Sequence, residues 1–142
     1  MNEIEIKYQK RVKNRPQIKS SKDAYKFLKD LYNENEKDYL EESFLLLLNR
    51  KNGIIGWRKL SSGGTSGCII DLKVVFTLAL KTGASAIILS HNHPSGSTQP
   101  SYQDIDITKR VYEAGKLLGL PLLDHIIIGD SYRSMNDEDD FQ

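Results

Sequence analysis

One cysteine in 142 residues leaves no partner for an internal disulfide and no second thiolate for a sulfur-coordinated zinc cluster. Cys68 therefore reads as a small packed residue of a glycine-rich loop, and the cytoplasm is the natural compartment. Long apolar runs are missing as well. The uninterrupted ones, such as Phe44 to Leu48, fall far short of the roughly 20 residues a membrane span needs. Met1 to Lys10 alternates charged and apolar residues without a hydrophobic stretch, so neither a signal peptide nor a membrane partner is expected. Charge of one sign is also lacking, since the formal net charge is only +1. Near-balance hides an asymmetry: residues 1 to 30 carry nine Lys or Arg against four acids, whereas residues 130 to 142 carry one Arg against five acids. The run Lys7, Lys10, Arg11, Lys13, Arg15 reads as a solvated segment, which predicts only weak, non-specific contact with nucleic acid.

What is present suits one compact domain. A chain of 142 residues can bury a single core, and although only 39% of it is hydrophobic, the apolar residues are clustered. Glu3 to Tyr8 alternates like a half-buried strand, and residues 1–19 are expected to form an arm. The domain proper is expected over residues 20–136, with residues 137–142 as an acidic, frayed tail. Ser20 and Asp23 make a capping signal, followed by Ala24, Phe27, Leu28, Leu31 and Tyr32 at helical spacing. Two extended runs, Glu42 to Asn49 and Gly53 to Leu60, flank an Asn52-Gly53 turn and predict a hairpin. A second helix runs from about Leu72 to Gly83, with an apolar surface wide enough to suggest burial on more than one side. Ala84 to Ser90 is a buried strand, Ser101 to Leu118 a third helix stopped by Gly119 and Pro121, and Leu122 to Ile128 a last strand.

His91 and His93 stand where the buried strand runs out. Residues i and i+2 of extended backbone project to one side, so two imidazoles can converge on one ion. Asp104, in the first turn of the third helix, can supply an oxygen ligand, although Ser101-x-x-Asp104 is equally an ordinary capping box. Two histidines and a carboxylate suit zinc with an open position for water, and they also describe non-haem iron sites. A hydrolytic site would further need a free carboxylate as base. His125, inside an apolar strand beside Asp124, reads as a satisfied core histidine. The string His91-Asn92-His93 does not indicate an HNH nuclease, and the absence of paired cysteines argues against a zinc deaminase.

Taken together, Glu42-x-Phe44 before an apolar strand, His91-x-His93, Ser101 and Asp104 resemble the JAMM motif of JAB/MPN metalloproteases. Ser90 to Gly96 and Leu123 to Gly129 narrow the likeness to the RadC-like branch, historically labelled as DNA repair proteins, over roughly residues 20 to 135. The resemblance implies an α/β (α+β) fold, with a curved mixed sheet flanked by helices in the cytidine-deaminase-like JAB/MPN architecture. It implies one zinc ion held by His91, His93 and Asp104, with Glu42 as general base and Ser101 as partner of the oxyanion or the attacking water. Glu41 competes with Glu42, and since Phe44 to Leu48 are uniformly apolar, only the family pattern favours Glu42. The substrate implied is a peptide or protein carrying a peptide or isopeptide bond. The alternative is a DNA-repair or mobile-element accessory protein whose zinc is structural or whose role is partner binding. Longer RadC-like proteins carry a helix-hairpin-helix domain upstream, for which Met1 to Arg15 has no room, and Lys73 stands where relatives usually have Arg.

Overall fold

The computed structural model describes residues 1–5, 12–63 and 70–142. Cys68, most of the glycine-rich loop, and Lys7, Lys10 and Arg11 of the basic run lie outside the described residues, as does the second half of the strand expected over Glu3 to Tyr8. Glu3 to Glu5 have no strand geometry.

Among the described residues, three helices and five strands follow in the order α1 (Ser21–Leu28, extended by a 3-10 turn Lys29–Leu31), β1 (Glu42–Leu48), β2 (Ile54–Ser62), α2 (Leu72–Thr82), β3 (Ala86–Asn92), α3 (Tyr102–Leu118), β4 (Leu122–Ile128) and β5 (Tyr132–Ser134). The strands form one mixed sheet in the order β2-β1-β3-β4-β5. Only β3 and β4 are parallel, as a crossover through α3 requires. The β1–β2 hairpin turns on Asn52, which takes the positive φ of 59°. The Asn49 Oδ1 holds the turn by accepting from the amides of Lys51 and Gly53.

Both faces of β1 and β3 are covered, and every residue of these two strands is buried. On one face Phe44, Leu46, Leu48, Ala86 and Ile88 pack with Ala24, Leu28 and Tyr32 of α1 and its extension. On the other, Leu45, Leu47, Ile87 and Leu89 pack with Val75, Phe76 and Ala79 of α2 and Val111 of α3. Period-2 side-chain alternation thus divides a continuous apolar run into two cores. Helix α2 is narrower in its burial than its sequence suggests: Val74 and Leu80 face solvent, so the helix is buried on one side. No helix among the described residues is long and apolar enough to cross a membrane.

The acidic end differs from the expected frayed tail. Arg133 in β5 pairs with Asp140 through two hydrogen bonds of 2.9 Å, Ser21 at the start of α1 donates to Asp137 at 2.6 Å, and Phe141 is buried edge-on against Tyr112 of α3. One aromatic ring late in a charged stretch anchors it, because an exposed Phe loses more than the short segment loses in ordering. Phe141→Ala is therefore expected to lower unfolding free energy by about 3 kcal/mol, the low end for deleting a core aromatic. Urea denaturation at constant slope checks this, and a change within about 0.5 kcal/mol would mean the end is frayed.

Candidate metal centre

The site lies where the C-terminal end of β3 meets the N-terminus of α3. His91 is on the β3 face that looks toward α3, and His93 follows two residues later, its amide donating to Ile128 O at the end of β4. The turn after His93 is pressed against the β4–β5 connection. A Cβ on Gly129 would lie 2.3 Å from Gly96 O and 2.7 Å from Ser97 O, so only glycine admits this approach. Ser97 O in turn accepts from His93 Nδ1 at 3.0 Å.

Asp104 arrives by way of the α3 cap. Ser101 Oγ accepts from Asp104 N at 3.1 Å, and Ser101 N donates to the Asp104 carboxylate at 2.8 Å, a complete capping box. The cap and the site are compatible, because the oxygen that takes the Ser101 amide also faces His93 at 3.1 Å. His91 Nε2 is 3.3 Å from the other carboxylate oxygen and 3.0 Å from His93 Nε2.

Both histidines direct Nδ1 away from this cluster, His93 to a carbonyl and His91 to His125 Nε2 at 2.7 Å. A carbonyl only accepts, so His93 carries its proton on Nδ1 and, when neutral, its lone pair on Nε2. His91 Nε2, His93 Nε2 and the two oxygens of the Asp104 carboxylate thus gather with closest approaches of 3.0 to 3.3 Å, an arrangement that a positive centre between them would stabilise. The hydrogen bond to Asp104 raises the His93 pKa above the ordinary imidazole value, although burial opposes this. Burial likewise works against ionisation of Asp104, but the facing His91 and His93 rings and the Ser101 amide outweigh it and hold the carboxyl well below its usual range. A metal ion fits the same place. Tetrahedral ligands at zinc distances lie about 3.4 Å apart, close to the separations found.

The fourth member is Glu41, whose carboxylate oxygen lies within 4.8 Å of the His91, His93 and Asp104 donors. Glu42, the residue expected to serve as base, is elsewhere. Ser43 pairs directly with His91, so residues 41, 43 and 45 share the His91 face and Glu42 belongs to the opposite one. There it is buried, with Lys59 Nζ 2.5 Å from its Oε2 and the same ammonium 5.9 Å from the Phe44 ring. That oxygen has no well-angled hydrogen bond, and the adjacent ammonium offsets its charge.

Asn92, between the two histidines, was not among the expected site residues. Strand alternation turns it to the other side, where it is buried; its Oδ1 accepts from Glu42 N at 2.7 Å and its Nδ2 donates to Lys37 O and Leu40 O at 2.8 and 2.9 Å. Three bonds from one amide thus fix the segment that carries Glu41. His125 is a fully buried, satisfied histidine, as its sequence context implies; it also backs His91. Asp124 beside it is structural, accepting from the Ser134 hydroxyl and from the amides of His125 and Asn136.

The RadC-like JAB domain family model matches residues 18–140. Proteins described only as UPF0758 are similar: one from Syntrophomonas wolfei is 44% identical over 80% of this chain, one from Flavobacterium johnsoniae 43% over 85%, and one from Porphyromonas gingivalis 45% over 87%. These alignments cover 48%, 52% and 54% of the relatives, so the chain spans about half the length of the curated relatives it matches.

Removing the Asn92 amide leaves one buried donor and two acceptors without partners. Asn92→Ala is expected to cost on the order of 3 kcal/mol by chemical denaturation, since each unsatisfied buried group costs roughly 1–3 kcal/mol less whatever water recovers. Asn92→Asp keeps the acceptor but loses both donors, and should fall no higher than midway between wild type and Asn92→Ala. A neutral Asn92→Ala would mean that the Glu41 segment is held by something else.

Proposed function

Since the chain belongs to the RadC-like JAB domain family, we propose that it is a zinc-dependent hydrolase acting on peptide or isopeptide bonds. The observation that carries this reading is the approach of His91 Nε2, His93 Nε2 and the Asp104 carboxylate to 3.0–3.3 Å, with a second carboxylate, Glu41, within 4.8 Å of them. His91 Nε2, His93 Nε2 and Asp104 would hold one ion, and the mixed nitrogen and oxygen donor set suits zinc. A zinc ion there supplies Lewis acidity toward a substrate carbonyl and lowers the pKa of water. Glu41 takes the proton from the attacking water and delivers it to the leaving nitrogen, which requires it to stand beside the metal ligands without being one of them. Ser101 Oγ accepts from the Asp104 amide, which leaves its own hydroxyl proton to donate to the oxyanion as the carbonyl becomes tetrahedral.

The competing reading makes the domain a nucleic-acid accessory protein with a structural metal. Arg15 supports it little, because its guanidinium donates to Ile54 O and Ile55 O on the hairpin instead of facing outward to phosphates. Only weak, salt-sensitive and non-specific DNA binding is expected.

Purified protein should contain about one zinc per chain, lost in His91→Ala and in His93→Ala. On a panel of peptide- and isopeptide-linked substrates, Glu41→Gln should keep its zinc and lose activity by about 10² to 10⁴, the usual contribution of a general base. Glu42→Gln should retain both zinc and turnover and show its effect only in stability. Reversal of the two glutamates would contradict the strand parity on which the assignment of Glu41 rests. Zinc binding without cleavage across the panel, together with tight sequence-selective DNA binding, would favour the accessory role.

A further inference from the structure

The interior behind His91 contains a short chain of polar groups that the hydrolytic reading does not use. Thr108 lies one helical turn after Asp104 on α3 and is buried, as is His125 on β4. Thr108 Oγ1 is 2.5 Å from Asp104 O and 2.7 Å from His125 Nδ1, and His125 Nε2 is 2.7 Å from His91 Nδ1. A threonine hydroxyl has one proton and a backbone carbonyl can only accept, so that proton goes to Asp104 O. The other possible acceptor, Met135 Sδ at 3.8 Å, is weaker and farther. Thr108 Oγ1 must then accept from His125 Nδ1–H. His125 is fully buried and its two ring nitrogens face only the Thr108 hydroxyl and His91, surroundings that favour the uncharged ring. Its Nε2 therefore bears a lone pair, which accepts from His91 Nδ1–H and leaves the His91 lone pair on Nε2.

We propose that Thr108 and His125 are positioning residues that order the protons along this chain and so present His91 to the metal in the one tautomer able to ligate through Nε2. Ligating histidines are commonly fixed by a carbonyl or a carboxylate. Here a second imidazole does this, and an imidazole can be ordered either way round, so the direction has to be set by the hydroxyl at its far end. The polarity begins at the backbone of Asp104, a residue whose side chain faces the same ion. The inference rests on the metal reading for its purpose, but the proton order itself can be read without metal.

Long-range ¹H–¹⁵N spectra of the labelled, metal-free full chain, at a pH where the rings are neutral, report each imidazole nitrogen as pyrrole-like or pyridine-like. Wild type should show pyrrole-like Nδ1 and pyridine-like Nε2 at both His91 and His125. Thr108→Val should mix the tautomers of both rings and weaken affinity for Zn²⁺ alone by about tenfold to a hundredfold, the range typical of lost outer-shell partners. Thr108→Ser, which restores the hydroxyl, should recover both. A proton on His91 Nε2 in wild type, or unchanged tautomers in Thr108→Val, would overturn the proposal. Single tautomers that respond to Thr108 as stated, in a chain that does not take up zinc, would uphold the relay while removing the metal reading.

Discussion

Two imidazole nitrogens and a carboxylate held face to face repel one another unless something positive lies between them, and much of this structure serves to hold them there. Each donor comes from a different kind of local order. His91 is placed by a fully buried central strand, His93 by a turn pressed onto Gly129, and Asp104 by a helix cap whose amide donates to one of its oxygens. Desolvation sharpens the constraint, since all three lie at least partly buried and water can offset their mutual repulsion only in part. The apolar runs of β1 and β3 pack on both sides of the sheet and so fix the backbone from which His91 projects and which leads directly into His93.

Beyond His91, His93 and Asp104 the same pattern of support continues. Asn92 points away from the site and ties down the segment carrying Glu41, while Thr108 and His125 lie behind His91. Nearly every polar residue near the cluster is engaged by geometry that leaves it little freedom. Preorganisation of this sort is what a hydrolytic site requires, because donors already in place need no reorganisation when charge develops. The Glu41 carboxylate lies within 4.8 Å of the same donors.

Much of this was legible in the residues. His91-x-His93 at the end of an apolar run, and Ser101-x-x-Asp104 opening an amphipathic helix, carry their geometry in their spacing. The choice between Glu41 and Glu42 was not legible, because β1 is buried on both faces and its apolar run has no alternation to show parity. That information resides in the pairing of Ser43 with His91, a contact between residues 48 positions apart. Three-residue β5 is too short to leave a periodic signal, and the acidic end looked frayed because one anchoring ring, Phe141, was outweighed by the charges around it. Asn92 did have a signal: in a strand, the residue between two that face a site must face away from it, and a buried amide there needs partners.

Anomalous diffraction at the zinc edge, from crystals of the full chain grown with zinc, tests the central claim most directly. The account predicts a single peak per chain bonded to His91 Nε2, His93 Nε2 and the Asp104 carboxylate, with the Glu41 carboxylate near but not bonded. A peak bonded through either Nδ1, or one from which Asp104 is absent, would contradict it.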